Sequence, residues 1–264
     1  MKQHKTQRNK IIIAGPCVVE SLELCLEVAI EVKRACEANG FKPIFKASYD
    51  KANRTSLGSF RGVGISKALD ILSEVRLKVG VPIITDVHET SQVEVVQNIV
   101  DFLQVPAFLC RQTDLIEACA ASGKPTLIKK GQFLSHETCE FIERKFYKSN
   151  GMDMMIAERG NSFGYNDLVV DVTSISRLKA ACKNSLVIMD CTHSLQKPNG
   201  VNGRTGGQSK HIIDMVKFGA IMDADGLFIE THPRPKDSPS DAENMLELSK
   251  LDSVLSLASK IYKL

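Results

Sequence analysis

The stretch IIIAGPCVVESLELCLEVAIEVKRACEANGFKPIFKAS, residues 11–48, reads as one complete β-α-β unit. Its ends, 11–17 and 43–48, are short apolar runs of the kind that strands buried on both faces need. Between them Ser21 can cap a helix. Cys25, Val28, Ala29, Val32 and Cys36 then recur at i, i+3, i+4, i+7 and i+11, which is one face of an α-helix. Gly40 supplies the stop.

The same alternation runs outward along the chain. Strands are expected at 11–17, 43–48, 82–86, 102–108, 126–130, 154–158, 186–191 and 226–231. Ile65, Leu69, Leu72 and Val79 form a second helical stripe, closed by Gly80 and Pro82. Segments 167–182, 210–222 and 242–262 can supply further helices. Eight β-α pairs in 264 residues fit a closed (β/α)8 TIM barrel, an α/β fold of roughly 250 residues, better than an open sheet. No linker or low-complexity stretch divides the chain. Residues 1–264 are therefore expected to form a single barrel domain, with 1–10 as a flexible N-terminal tail.

Composition narrows the function. A net charge of +3, with both signs interspersed, offers no basic stripe for nucleic acid. No apolar run is long enough to span a membrane. The basic tail (Lys2, Lys5, Arg8, Lys10) lacks the apolar core and cleavage site of a signal peptide. Eight cysteines with no CxxC spacing, and no export signal, point to reduced thiols and a cytoplasmic protein.

Polar residues fall at the C-terminal ends of the expected strands, where such a barrel builds its active site. Cys17 and Glu20 follow the first strand. Lys46 lies in the second, which runs on into Lys51–Ala52–Asn53–Arg54. The third ends at Asp86 and His88. The fourth carries Gln104, with Arg111 beyond it. The remaining four end at Lys129–Lys130, Glu158–Arg159, Asp190 with His193, and Glu230 with His232. A lysine among core residues is costly to bury unless it meets an anion. Lys46, Lys129 and Arg159 at the mouth, with Lys51, Arg54 and Arg111 above it, imply a substrate with more than one anionic group. The alternative is that these cations pair with Asp86, Glu158 and Asp190, or lie in solvent.

Cys17, His193, Glu230 and Asp241 sit on the first, seventh and eighth β-α units, which a closed barrel makes neighbours. A thiol, an imidazole and two carboxylates suit zinc, iron, manganese or cobalt. The alternative makes Cys17 a small buried hydrophobe and His193 a core or surface histidine. Spacing alone does not separate the two.

Read in order, AGPCVVES (14–21), FKASYDKANRTS (45–56), TDVHE (85–89), QVPAFLCRQTDL (104–115), IKKGQF (128–133), ERGNSFGYN (158–166), DCTHSLQKP (190–198) and IETHPRP (229–235) resemble the 3-deoxy-D-manno-octulosonate 8-phosphate (KDO8P) synthases. The likeness runs from about residue 11 to the end. Lys51–Ala52–Asn53–Arg54 is its most telling stretch, because the related DAHP synthases usually carry a Lys-Pro-Arg-Thr type sequence there.

The resemblance implies a transferase of lipopolysaccharide Kdo biosynthesis. Phosphoenolpyruvate, D-arabinose 5-phosphate and water would give the eight-carbon keto-sugar acid phosphate and inorganic phosphate. By resemblance, Lys46 and Lys51 would meet the phosphoenolpyruvate carboxylate. Lys129, Arg159 and the Ala107 N–H would hold its phosphate. Asn53 would position the aldose hydroxyls. Arg54 and Thr55 would take the aldose phosphate, helped by Arg111 from a neighbouring subunit of a homotetramer. Asp86, Gln104 and Gln132 would complete the pocket. Cys17 in place of an Asn implies the metal-dependent branch, with a divalent ion (Zn, Fe, Mn or Co) on Cys17, His193, Glu230 and Asp241. Lys51, Asn53, Cys17, His193 and Asp241 would then carry the catalytic roles.

Thr55 stands where Ser is usual and Glu247 where Pro is common. The tail is shorter than the hairpin that closes many relatives. The Gly-rich loop 197–210 is expected to be mobile and to close over substrate. Three other readings compete: a DAHP or sialic-acid-type synthase using another aldose, a Schiff-base aldolase on a desolvated lysine, and a non-catalytic binding protein.

Overall fold

The computed structural model describes residues 10–54, 56–165, 167–201 and 204–264. Eight parallel strands form the barrel. They are β1 (Ile11–Gly15), β2 (Lys42–Lys46), β3 (Ile83–Asp86), β4 (Phe102–Val105), β5 (Thr126–Lys129), β6 (Met154–Glu158), β7 (Leu186–Asp190) and β8 (Gly226–His232). Each pairs with its successor, and β8 returns to β1 with Ile11 opposite Gly226 and Gly15 opposite Glu230. The closed (β/α)8 barrel expected from the sequence is therefore present.

Eight helices surround it: α1 (Leu22–Ala38), α2 (Ile65–Val79), α3 (Thr90–Val96), α4 (Thr113–Ala121), α5 (Cys139–Lys148), α6 (Ser174–Ala181), α7 (Ile212–Ile221) and α8 (Leu251–Ile261). The Ser21 hydroxyl accepts from the Leu24 N–H at 3.2 Å, as an N-cap should. Gly80 ends α2 in the left-handed conformation at φ 65°. Among the described residues, no helix is long and apolar enough to cross a membrane.

Two apolar layers result from the two-residue period of the strands. Ile13, Ile44, Ile84, Leu127, Met155, Ala157, Ile188 and Phe228 fill the barrel interior. Ile12, Phe45, Ile83, Leu103, Ile128, Ile156, Met189 and Ile229 face the helices. This alternation fixes the active end. One step of two beyond an interior residue lie Lys46, Asp86, Lys129, Arg159, Asp190 and Glu230, so these project into the mouth. Lys130 and Glu158 have the opposite parity and project outward, beneath the helices.

The structure corrects several sequence boundaries. The first strand stops at Gly15, and Cys17 lies just past it, beside the single parallel bridge from Val18 to Ser48. The fourth stops at Val105, where Pro106 leads into a 3-10 turn at Ala107–Leu109. In the segment read as helix 167–182, only Ser174–Ala181 is helical. Asp167–Val169 instead pairs antiparallel with Asn161–Phe163. In 242–262 the helix starts at Leu251, because Leu246–Glu247 pairs with the Thr231–His232 end of β8. Tertiary pairing overrides helical propensity there. Within 197–210, Gln196–Val201 and Arg204–Gly207 form a two-stranded antiparallel ribbon. Residues 1–9 of the expected tail lie outside the described residues.

Candidate active site

A cavity of about 1080 Å³ opens at the C-terminal end of the barrel. Two of its lining lysines lie over the buried Phe228 ring. The Lys129 ammonium lies 3.0 Å from the ring centroid and the Lys46 ammonium 5.7 Å. A cation over an aromatic face is held by the ring quadrupole.

Gly15 makes room for Lys46. A Cβ there would lie 2.1 Å from the Lys46 carbonyl oxygen, so no larger residue fits between β1 and β2. Lys46 Nζ donates to Glu230 Oε1 at 2.9 Å and to the Cys17 carbonyl at 3.1 Å. Lys129 Nζ donates to Asp190 Oδ2 at 2.6 Å. That oxygen also meets His193 Nδ1 at 2.9 Å. Arg159 Nη2 donates to the His193 carbonyl at 2.9 Å and to Gln196 Oε1 at 2.6 Å. Both readings of the buried cations hold in part. Two lysines have acidic partners, and the cations nonetheless line one cavity.

Burial would raise the Glu230 carboxyl, but Lys46, His193 and Lys51 hold it well below the usual carboxylate range. Burial is likewise outweighed at Asp190 by His193 and Lys129, and at Asp86 by His88, Lys46 and Lys51. Burial would lower Lys51, but the charge of the acidic groups around it, Glu230, Asp86 and Asp241, raises it. Lys129 is lowered to about 8 by burial, against the pull of Asp190.

Five residues that line this cavity each carry a buried polar atom with no hydrogen-bond partner: Asp86 Oδ1, Gln104 Oε1, Gln132 Oε1, His88 Nδ1 and Arg54 Nη2. Buried polar groups are rarely left unpaired without a functional reason. Lys46, Lys51, Arg54, Lys129 and Arg159 line the same space, which suits a polar, multiply charged ligand.

Beside Lys46, one atom each from Cys17, Glu230 and Asp241 lie within 4.8 Å of one another. His193 stands next to this group, its Nε2 3.5 Å from Glu230 Oε1, but does not complete it. Cys17 Sγ is 2.9 Å from Ser240 Oγ and donates to Asp241 Oδ2 at 3.2 Å. Burial and Glu230 push the Cys17 thiol well above its ordinary value. A thiol among carboxylates stays neutral until a cation offsets them, as binding of a divalent metal would. The donor set therefore fits such an ion.

Lys51, Ala52, Asn53 and Arg54 line the cavity from the β2–α2 loop, and Ala107 from the turn after β4. Arg54 Nε donates to the Phe60 carbonyl at 2.9 Å. Thr55 lies outside the described residues. Arg111 is exposed and is not among the residues that line the cavity. Phe108, Gln196 and Ser240 line the cavity without having been singled out for the site, and His88, read only as a polar strand-end residue, lines it too. His88 was within reach of sequence reasoning, two residues beyond Asp86. Gln196 gave no signal of its own, because the turn after His193 aims it.

The DAHP synthetase I family model matches residues 3–264. A protein of Fusobacterium nucleatum subsp. nucleatum, named 2-dehydro-3-deoxyphosphooctonate aldolase, is 44% identical over 254 residues, spanning 96% of this chain and 91% of the relative. Proteins of the same name from Magnetococcus marinus and Methylobacillus flagellatus are each 46% identical over 92% of this chain, covering 84% and 88% of their own lengths.

Proposed function

The chain belongs to the DAHP synthetase I family and, within it, to the 2-dehydro-3-deoxyphosphooctonate aldolases, and from that premise we propose the reaction it performs and the residues that perform it. It is an enzyme, a transferase, that condenses phosphoenolpyruvate with D-arabinose 5-phosphate and water. The products are 3-deoxy-D-manno-octulosonate 8-phosphate and inorganic phosphate. C3 of phosphoenolpyruvate bonds to the aldehyde carbon, water adds at C2, and the resulting hemiketal phosphate loses phosphate through C–O cleavage.

The observation that carries this assignment is the convergence of Lys46, Lys51, Lys129 and Arg159 on one cavity with unpaired polar atoms. Lys129 and Arg159 take the phosphate of phosphoenolpyruvate, with the Ala107 N–H and Gln132. Lys46 and Lys51 take its carboxylate. Asn53 orients the aldose hydroxyls, and Arg54 and Thr55 take the aldose phosphate. Asp86 and Gln104 complete the polar wall. Fixed cations of this kind stabilise developing negative charge without reorganising during the reaction.

Cys17, His193, Glu230 and Asp241 hold a divalent zinc, iron, manganese or cobalt ion, which when bound supplies Lewis-acid polarisation and orientation of an oxygen. The convergence of three of these ligands supports this.

The enzyme works as a homotetramer in the cytoplasm. Phe108, Phe133, Phe163 and Tyr165 are exposed on the loops after β4, β5 and β6, and Arg111, also after β4, is exposed and does not line the cavity. Apolar surface of this kind marks a protein contact. All eight cysteines are free and buried, in keeping with a reducing compartment.

The test is phosphate release from phosphoenolpyruvate with D-arabinose 5-phosphate or D-erythrose 4-phosphate as co-substrate. The assay is repeated after chelation and after return of zinc, manganese or cobalt. Turnover with the arabinose ester, lost on chelation and restored by metal, is expected. Preference for the erythrose ester would move the chain to the DAHP synthases. A borohydride-trapped adduct with pyruvate would move the lysines to Schiff-base chemistry. Sedimentation of the whole protein tests the tetramer.

A further inference from the structure

Behind the cavity wall, on the outward side of β5 and β6, lies a charged cluster that the proposed reaction does not use. Lys130 is wholly buried. Its Nζ donates to Asn161 Oδ1 at 2.7 Å and to the Gly160 carbonyl at 3.3 Å, and stands 3.7 Å from Glu158 Oε1. Glu158 is also wholly buried, and its Oε2 is 2.9 Å from His136 Nε2. Glu158 Oε1 accepts the Gly160 N–H. Asn161 Nδ2 closes the circuit by donating to the Leu134 carbonyl at 2.6 Å. The Ser162 N–H donates to the Gln132 carbonyl at 3.0 Å.

Such a cluster is expensive. A buried ion pair seldom repays its own desolvation and is weak grounds for stability. Its place in the chain gives it another use. Each member adjoins a group of the anion pocket: Lys130 follows Lys129, Glu158 precedes Arg159, and His136 and Leu134 lie on the loop that carries Gln132. The strand period sends Lys129 and Arg159 into the mouth and Lys130 and Glu158 behind it. At Gly160 the backbone has φ 83° and wraps around the Glu158 carboxylate. The peptide units on both sides of Gly160, the residue after Arg159, are thereby tied to that carboxylate and to Lys130. The β5–α5 and β6–α6 loops are pinned to each other at one distance.

We propose that His136, Glu158 and Lys130 are positioning residues that set the spacing of Lys129, Gln132 and Arg159 around a phosphate group. The inference rests on the reading of that pocket as the phosphate site of phosphoenolpyruvate. Glu158, when ionised, can only accept, so His136 donates from Nε2. His136→Gln keeps a donor of similar reach, and His136→Ala removes it. Lys130→Met with Glu158→Gln takes out the charge pair together, so that no buried charge is left alone.

The experiment measures binding of inorganic phosphate and of phosphoenolpyruvate to the full chain by calorimetry, beside the aldose KM and the thermal midpoint. In His136→Ala and in the Lys130→Met/Glu158→Gln double variant, both affinities are expected to fall about tenfold or more, because misplaced binding groups lose much of their effect. The aldose KM should hold, and His136→Gln should recover most of the loss. In an Arg159→Ala background the same changes should add less than about twofold, because coupled groups are not additive. Unchanged phosphate affinity in both variants, or an undiminished loss in the Arg159→Ala background, overturns the proposal. A fall in thermal midpoint alone, with affinity intact, overturns it too and leaves the cluster purely structural. Absence of phosphate and phosphoenolpyruvate binding in the unaltered protein would instead overturn the reading of the pocket.

Discussion

The cavity has two unlike walls. One is built from strands: Lys46, Asp86, Gln104, Lys129 and Arg159 are each no more than 6% exposed. Their positions follow from the pleat, and Lys46, Asp86, Lys129 and Arg159 are held by side-chain hydrogen bonds. The other wall is built from the β2–α2 loop, where Asn53 is exposed and Lys51 and Arg54 are half-buried. In the proposed assembly it is completed by Arg111 of a second subunit. The contrast suggests a division of labour. On the proposed assignment the strand wall, joined by Lys51, would present the anion site to phosphoenolpyruvate, and Asn53 and Arg54 of the loop wall would meet the aldose. Preorganised groups gain most in the transition state, whereas loops tune which substrate is accepted.

The sharpest way to break this comparison is to cut the strand wall. Lys129→Met or Arg159→Ala should lower kcat/KM by about 100-fold or more, the usual effect of removing one preorganised charge-stabilising donor. A loss confined to the aldose KM would show the two walls to be wrongly assigned. Next comes Cys17→Ala. It should bind less than about a tenth of the metal of the unaltered protein under equal loading, with most of the activity gone, because it deletes a ligand. Metal analysis of the purified protein reads this directly. Full activity in the chelated variant would remove the metal from the mechanism.

Arg54→Ala probes the loop wall. A lost charge-assisted hydrogen bond corresponds to roughly tenfold in the aldose KM, with the phosphoenolpyruvate KM unchanged. Movement of both constants together would merge the two walls into one site.

A pH series sharpens the comparison further. Lys129 has its pKa lowered to about 8 by burial. Only its protonated form attracts an anion, so bound phosphate must raise that pKa. Affinity for phosphoenolpyruvate should therefore be fully present below pH 8 and fall as the pH rises through it, by at most about tenfold per unit. Lys129→Arg should abolish this alkaline limb. The carboxylates of Glu230, Asp190 and Asp86 are held low enough to leave the acid limb to other groups. A flat KM from pH 7 to beyond 9 would show that Lys129 stays charged throughout.

Much of this was legible in the residues. The run from Ile11 to Ser48 already held strand, cap, helical stripe and stop. All eight strands could be counted from apolar runs, because burial on both faces leaves a strong signal. The two adjacent charges at 129–130, and the two at 158–159, were harder. As sequence, each pair sits at a strand end; Lys129 and Arg159 read as mouth residues, but Lys130 and Glu158 have no place of their own. Only the parity set by the interior residues Leu127 and Ala157 separates a pocket cation from its buried neighbour. Convergence on the metal site was legible only as far as the β8–β1 closure. The left-handed turn at Asp241, φ 48°, which brings its carboxylate to Cys17, has no pattern in the sequence. The pairing of Leu246–Glu247 with β8 was hidden for the same reason, since it depends on a partner far away along the chain.

The smallest expected effect tests whether fold and site can be separated. Ser21, four residues past Cys17, caps α1 through a hydrogen bond from the Leu24 N–H. Ser21→Ala removes that bond and should cost about 1 kcal/mol of stability, seen as a lower denaturation midpoint. The helix packs on the outer layer through Cys25, Val28, Ala29 and Val32, and none of these residues lines the cavity. Metal content and both substrate KM values should therefore be unchanged. A loss of metal in this variant would mean that the turn from Cys17 to Ser21 transmits strain. The strand wall would then depend on its helices as much as on its pleat.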